Sequence, residues 1–276
     1  MEQHRIITVD GRNVHYRDEG RGNTRTLILL HGFLQNLDVW SSYVLSYMSH
    51  FRVISIDLPG HGLTDTFCDV HTMDFMAKTV KSVLNEAGVD QCVMVGHSMG
   101  GYVALAFAER YSYALRGLAL VNSHALPDSD EHRRHRDEVC TQVQENRASY
   151  ILGFVPPLFD ASKRTPLSKD IKDLQDQCLL TSAASIVAAQ RGMADRPSRV
   201  QLLASLDIPT LFVYGKNDPR IPLEIAVGSA MVARRPEIHL LSDVAHMAFM
   251  EERDYLKPRL ADFVNNCYNY LNLKCV

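Results

Sequence analysis

A chain of 276 residues, 46% apolar and 22% charged, is long enough to bury a sizeable core and has the composition of an ordinary globular protein. Its net charge of −3 gives no electrostatic case for binding nucleic acid or an anionic membrane. No run approaches the roughly 20 apolar residues that span a bilayer. The start, Met1-Glu2-Gln3-His4-Arg5, leads into an alternating segment rather than an apolar signal core. Cys68, Cys92, Cys140, Cys178, Cys267 and Cys275 are scattered, with no C-x-x-C pair and no metal-ligand spacing. Cys92 and Cys178 lie in apolar contexts that suit small core residues. The expectation is a reduced, cytoplasmic protein without a metal.

Strands and helices alternate along the chain. Arg5 to Val9 and Val14 to Arg17 read as strands joined by a turn at Asp10-Gly11-Arg12-Asn13, and Asp-Gly is a strong hairpin cue. Thr26 to Leu30 is a continuous apolar run, as in a strand buried on both faces. Arg52 to Ile56 is another strand. Asp74 to Ala87 is a helix, with Phe75, Met76, Val80, Val83, Leu84 and Ala87 on one face and Gly88 placed to end it. A strand at Cys92 to Val95, a helix over Tyr102 to Arg110 and a strand at Leu118 to Val121 follow. The rhythm then breaks. Residues 123–197 carry charged clusters, helix-like stretches such as Leu174 to Ala189, and the punctuation Pro156-Pro157, and read as a mostly helical insertion. The alternation resumes with a helix near Ser198 to Leu203, strand Thr210 to Tyr214, helix Leu223 to Val232, strand Glu237 to Leu241 and a final helix near Tyr255 to Leu271. This is an α/β fold: residues 1–122 and 198–276 form a core whose mostly parallel sheet has helices on both faces. Ligands of such sheets bind at the carboxyl ends of the strands.

Three loops after predicted strands hold the parts of a nucleophilic site. Gly96-His97-Ser98-Met99-Gly100-Gly101 reads G-x-S-x-G-G between a strand and a helix, a sharp turn that exposes a serine hydroxyl beside the helix N-terminus. Serine is a poor nucleophile and needs a base, which needs an orienting partner. Asp218 lies in Gly215-Lys216-Asn217-Asp218-Pro219, and His246 in Ser242-Asp243-Val244-Ala245-His246-Met247. Asp207 and Asp243 are the rival carboxylates, but neither follows a strand end and glycine in the same way. The loop His31-Gly32-Phe33-Leu34 follows the central strand, and its Phe33 N–H can join that of Met99 in an oxyanion hole. His31, Gly32 and His97 are expected to support these loops. Asp57-Leu58-Pro59-Gly60-His61-Gly62 reads as a shaped turn rather than a metal or acid site. Trp40 reads as core packing.

These motifs resemble those of the α/β-hydrolase superfamily, in its capped serine-hydrolase form. The resemblance spans nearly the whole chain outside the insertion. It implies an eight-stranded, mostly parallel sheet, with the insertion at 123–197 as a helical cap over Ser98. Relatives often carry glycine where Ala245 precedes the histidine. Serine at the elbow argues against haloalkane dehalogenases and epoxide hydrolases of this type, which place aspartate there. Gly-His-Ser-Met-Gly-Gly is most similar to carboxylesterases and monoacylglycerol-type lipases. The expected reaction is hydrolysis of a small or medium-sized carboxylic ester through an acyl-enzyme on Ser98, His246 and Asp218, without a cofactor. The alternatives are carbon–carbon bond hydrolysis or a lyase step at the same site, or a ligand-binding receptor that keeps the fold. The charges from Asp128 to Arg147 read as a solvated helix face. Tyr150 to Phe159, with Phe154 and Phe159, offers either a substrate-pocket lining or the apolar underside that docks the cap.

Overall fold

The continuous apolar runs become strands buried on both faces, and the alternating segments lie at the sheet edge. In a computed structural model, which describes residues 4–273, the strands are β1 His4–Val9, β2 Arg12–Glu19, β3 Thr26–Leu30, β4 Arg52–Ile56, β5 Cys92–His97, β6 Leu115–Val121, β7 Thr210–Gly215 and β8 Pro236–Leu241. The helices are α1 Ser41–Tyr47, α2 Met73–Glu86, α3 Met99–Tyr111, α4 Asp130–Phe154, α5 Ser168–Cys178, α6 Ala183–Ala194, α7 Val200–Ser205, α8 Leu223–Met231, α9 Ala248–Glu251 and α10 Arg253–Leu273. Met1 to Gln3 and Cys275 lie outside the described residues.

The sheet has eight strands in the order β1-β2-β4-β3-β5-β6-β7-β8. β2 is antiparallel to both neighbours, and the remaining pairs are parallel. Val9 pairs with Arg12, so the hairpin turn is the two residues Asp10-Gly11, both at positive φ. β3, β5 and β7 are buried along their whole length, as a sheet covered on both faces requires. β1 and β8 are the partly exposed edges. α2 and α3 pack on each other and on the sheet, whereas α1 and α10 pack together elsewhere against it. α1 has no predicted counterpart: it is two turns long, too short for a periodic pattern, and buries Tyr43, Val44 and Tyr47. Trp40 is fully buried, with its ring 4.4 Å from that of Phe249. No helix among the described residues is long and apolar enough to cross a membrane.

Helices α4 to α7 lie between β6 and β7. The stretch Leu174 to Ala189, expected as one helix, is broken: α5 ends at Cys178 and α6 starts afresh, its N-cap Ser182 accepting from the Ser185 N–H. Arg147 stabilises the break by donating to the Leu179 and Thr181 carbonyls, which no helix satisfies. α4 is itself kinked at Asn146, whose side chain accepts from the Ser149 N–H and so recaps the second half. Its charges are mostly solvated, with one correction to that expectation: Asp128 is buried between Arg136 and Arg196. The segment meets the core closely. The Ala188 carbonyl accepts the His71 N–H at 2.9 Å, and the Leu158 carbonyl accepts the His246 N–H at 2.9 Å.

Candidate active site

Ser98 sits between β5 and α3 at φ +49°, ψ −115°. A side chain in this region stores on the order of 1–3 kcal/mol of strain and persists only where its surroundings hold it. They do: the Ser98 N–H donates to the Val121 carbonyl, and the Ser98 carbonyl accepts from Ser123 Oγ and from the Gly101 N–H. A Cβ on Gly100 would stand 2.6 Å from the Leu30 and His31 carbonyl oxygens, so glycine lets α3 start hard against the end of β3.

The loops after β7 and β8 bring the other two side chains to this turn. His246 Nε2 lies 2.9 Å from Ser98 Oγ, and His246 Nδ1 lies 3.0 and 2.9 Å from the two carboxylate oxygens of Asp218. With Asp218 as acceptor, the ring carries its proton on Nδ1 and presents Nε2 as a base to the serine hydroxyl. Burial works to raise the Asp218 carboxyl. The neighbouring His246, the Arg220 N–H and the Asn122 amide outweigh it and hold the group below the usual carboxylate range. The rival Asp207 instead pairs with Arg235, and Asp243 occupies a left-handed turn position.

The loop after β3 approaches from the far side. His31 donates from Nδ1 to the Gly32 carbonyl at 2.8 Å and accepts the Leu58 N–H on Nε2 at 2.9 Å, tying this loop to the one after β4. Burial keeps it neutral, which that pairing needs. Gln35 Oε1 accepts the Gly32 N–H. Among the described residues the Phe33 N–H has no protein acceptor, and Met99 is the first residue of α3, whose N–H has no partner within the helix. His97 is buried, and burial pushes its imidazole down to about 3. Its Nε2–H donates to the His246 carbonyl at 2.9 Å, and Nδ1 lies 3.2 Å from Gln35 Oε1. His97 thereby touches the serine turn, the Gly32 loop and the His246 loop together. Asp57 is the keystone of its own turn: it accepts the Leu37 and Leu63 N–H groups and His15 Nδ1–H.

Besides Gln35, three supporting residues escape sequence reasoning. Asn122, at φ +45°, donates to Asp218 Oδ2 and to the Ala245 carbonyl, and its Oδ1 accepts the Ala248 N–H. The one available signal is a polar residue directly after a buried strand. Glu251 accepts the Ala245 and Met247 N–H groups on one oxygen and the Asp160 N–H on the other. Burial raises its carboxyl despite these donors. It clips both flanks of His246 to the segment between α4 and α5; an acid directly after the apolar run Ala248 to Met250 is its trace in the sequence. Arg220 is the third, and its guanidinium carbon lies 4.6 Å from the Phe154 ring centre.

The two phenylalanines expected together in the inserted segment separate. Phe154, at the end of α4, is half-buried and meets Phe33 edge-on, with ring centres 5.8 Å apart. Phe159 is fully buried in the core cluster. No group of three histidine, cysteine, aspartate or glutamate side chains suited to a metal ion occurs among the described residues.

A family model described as the alpha/beta hydrolase fold matches residues 25–159. The chain is 26% identical to a 2-hydroxy-6-oxononadienedioate/2-hydroxy-6-oxononatrienedioate hydrolase from Paraburkholderia phymatum, over 91% of this chain and 90% of that one. It is 27% identical to a pimeloyl-[acyl-carrier protein] methyl ester esterase from Vibrio parahaemolyticus, over 92% and 99%. Among solved structures, a thermophilic esterase from Thermogutta terrifontis superimposes with a TM-score of 0.89 at 29% identity, covering 96% of this chain and 99% of that one.

Proposed function

The chain is a member of the α/β-hydrolase superfamily, and on that premise we propose that this hydrolase cleaves a carboxylic ester through an acyl-enzyme on Ser98. The observation that carries the reading is the unbroken line from Ser98 Oγ through His246 to Asp218, each step at 2.9–3.0 Å. His246 Nε2 takes the hydroxyl proton as Oγ attacks the ester carbonyl. Asp218 fixes the ring and stabilises the imidazolium. The N–H groups of Phe33 and Met99 receive the oxyanion, each worth about 3 kcal/mol of transition-state stabilisation. His246 then protonates the departing alcohol. Water, activated by the same imidazole, attacks the acyl carbonyl, and Ser98 recovers its proton as the acid leaves. Residues 123–197 serve as the cap, and Phe33 with Phe154 lines the apolar side of the substrate space. His31, Gly32 and His97 keep the amide donors in place.

The test is an ester-chain-length panel with para-nitrophenyl acetate and butyrate, read for burst release, beside fluorophosphonate labelling. Labelling at Ser98 and its loss in Ser98→Ala, together with loss of turnover, support the reading. Full esterase activity in Ser98→Ala overturns it.

A second reading is carbon–carbon bond hydrolysis at the same residues, favoured by the similarity to the Paraburkholderia phymatum enzyme named for an oxo-dienedioate substrate. A vinylogous oxo-dienoate run beside the esters separates the two: cleavage of it, with no ester turned over, selects the second reading.

A further inference from the structure

The loop after β7 that carries Asp218 also carries an arginine that rests on an aromatic ring and forms no ion pair among the described residues. Phe33, Phe154 and Tyr150 form a chain of rings, with centres 5.8 and 5.5 Å apart, running from the loop after β3 into α4. Arg220 caps this chain with its guanidinium 4.6 Å from the Phe154 ring centre. It has no carboxylate partner within ion-pair distance among the described residues. Its neighbours are otherwise committed. Asp218, two residues away, accepts the Arg220 backbone N–H and faces His246. Arg136 pairs with Asp128 and donates to Gln190, and Arg196 pairs with Asp128. The Tyr150 hydroxyl lies among Arg220, Arg136 and Gln190.

Arg220 is exposed to solvent, yet burial among these groups makes its charge harder to hold. A guanidinium so placed is laid flat by its aromatic platform and keeps its N–H edge for a planar anion.

We infer that Arg220 is a specificity-determining residue that receives a carboxylate carried by the substrate at the end remote from the scissile ester. The inference rests on Ser98 as the attacking group and names the substrate class: hemiesters of short dicarboxylic acids, or esters whose alcohol bears a carboxylate. The ring chain takes the methylene spacer, and Arg220 with the Tyr150 hydroxyl takes the distal carboxylate.

The experiment compares the mono-para-nitrophenyl ester of glutaric acid with para-nitrophenyl valerate, which has the same chain length and no charge. The wild-type kcat/KM ratio should favour the hemiglutarate about tenfold, the effect of one charge-assisted pair at a partly wet site. Arg220→Gln should remove that preference. Arg220→Glu should transfer it to the trimethylammonium analogue, an inversion that a merely structural role does not produce. An equal ratio in wild type and both variants overturns the inference. Titration of glutarate into Ser98→Ala supplies a readout that needs no turnover: affinity at least tenfold weaker in the Ser98→Ala, Arg220→Gln double variant supports the role, and equal affinity removes it. If no ester turns over and fluorophosphonate leaves Ser98 unlabelled, the ester reading fails by itself, and the titration still decides Arg220.

Discussion

The sheet with its strand-end loops and the helical segment between β6 and β7 are stabilised in different ways. In the sheet, β3, β5 and β7 are buried end to end, and the polar groups of the site stand where strands stop, at Ser98, Asn122 and Asp218. In the helical segment, few residues of α4 are buried. Beside the buried faces of α5 and α6, its order comes from discrete polar fastenings: Arg147 on the carbonyls before α6, Asp128 between two arginines, and Glu251 on the Asp160 N–H. A region held by apolar area loses stability gradually as it is altered, whereas one held by fastenings changes when a single fastening is cut. The groups proposed for the chemistry, Ser98, His246 and Asp218, therefore sit on the first region, as does Arg220, and Phe154 meets them from the second.

Perturbations can break that contrast or sharpen it. Asp218→Asn should lower kcat about 10⁴-fold by leaving His246 with the wrong tautomer, while thermal unfolding stays near wild type; a loss below tenfold would place the acid elsewhere. Glu251→Ala strips one acceptor from three buried N–H groups. It should cost on the order of 3 kcal/mol, measured by urea unfolding, and should lower kcat as well, because two of those N–H groups flank His246. Unchanged kcat in a folded Glu251→Ala protein would mean that the helical segment and the base are independent.

Acid should act on the fold through its buried histidines, of which His124, held down to about 3, lies at the start of the helical segment. Burial holds His61 and His97 down to about 3 and His71 to about 4, and it lowers His31. Each has a folded value below its unfolded one, so the unfolded chain takes up the proton first. The stability these groups lend is complete above about pH 6.5 and is lost as pH falls towards the folded values. At pH 5.5 His61, His71 and His97 each cost about 1.2 kcal/mol relative to pH 7. A denaturation series from pH 7 to 5 should show a steep fall, reduced in His97→Gln. A flat series would mean that these side chains are already hydrated in the folded state. The smallest effect is expected at the α4 kink: Asn146→Ala removes the side-chain cap at Ser149 and should cost about 1 kcal/mol, with kcat unaltered.

What the sequence discloses follows the same division. The strands are legible because burial on both faces leaves unbroken apolar runs, as in Thr26 to Leu30 and Thr210 to Tyr214. Ser98 and Asp218 are legible because each follows such a run in a turn whose glycines or proline mark it, and His246 because it follows the last strand. Asn122, Gln35 and Glu251 are not, because their partners lie far along the chain: Asn122 acts on Asp218 96 residues away, Gln35 on His97 62 away, and Glu251 on Asp160 91 away. No local pattern encodes such a pairing. The break at Leu179 to Ser182 is hidden for the same reason, since Arg147, 32 residues from Leu179, satisfies its carbonyl. Arg220 stands beside a recognisable aspartate, but its place on the Phe154 ring depends on how α4 returns over the loops.

The contact between Gly32 and His97 implies an epistatic pair. A Cβ at position 32 would stand 2.6 Å from His97 Nδ1, so alanine at 32 is forbidden while histidine occupies 97 and becomes permissible once 97 shrinks. The histidine before the nucleophile thus constrains what a loop 65 positions earlier in the chain can become. A library randomised at both positions and selected for turnover should return alanine at 32 only alongside a small residue at 97.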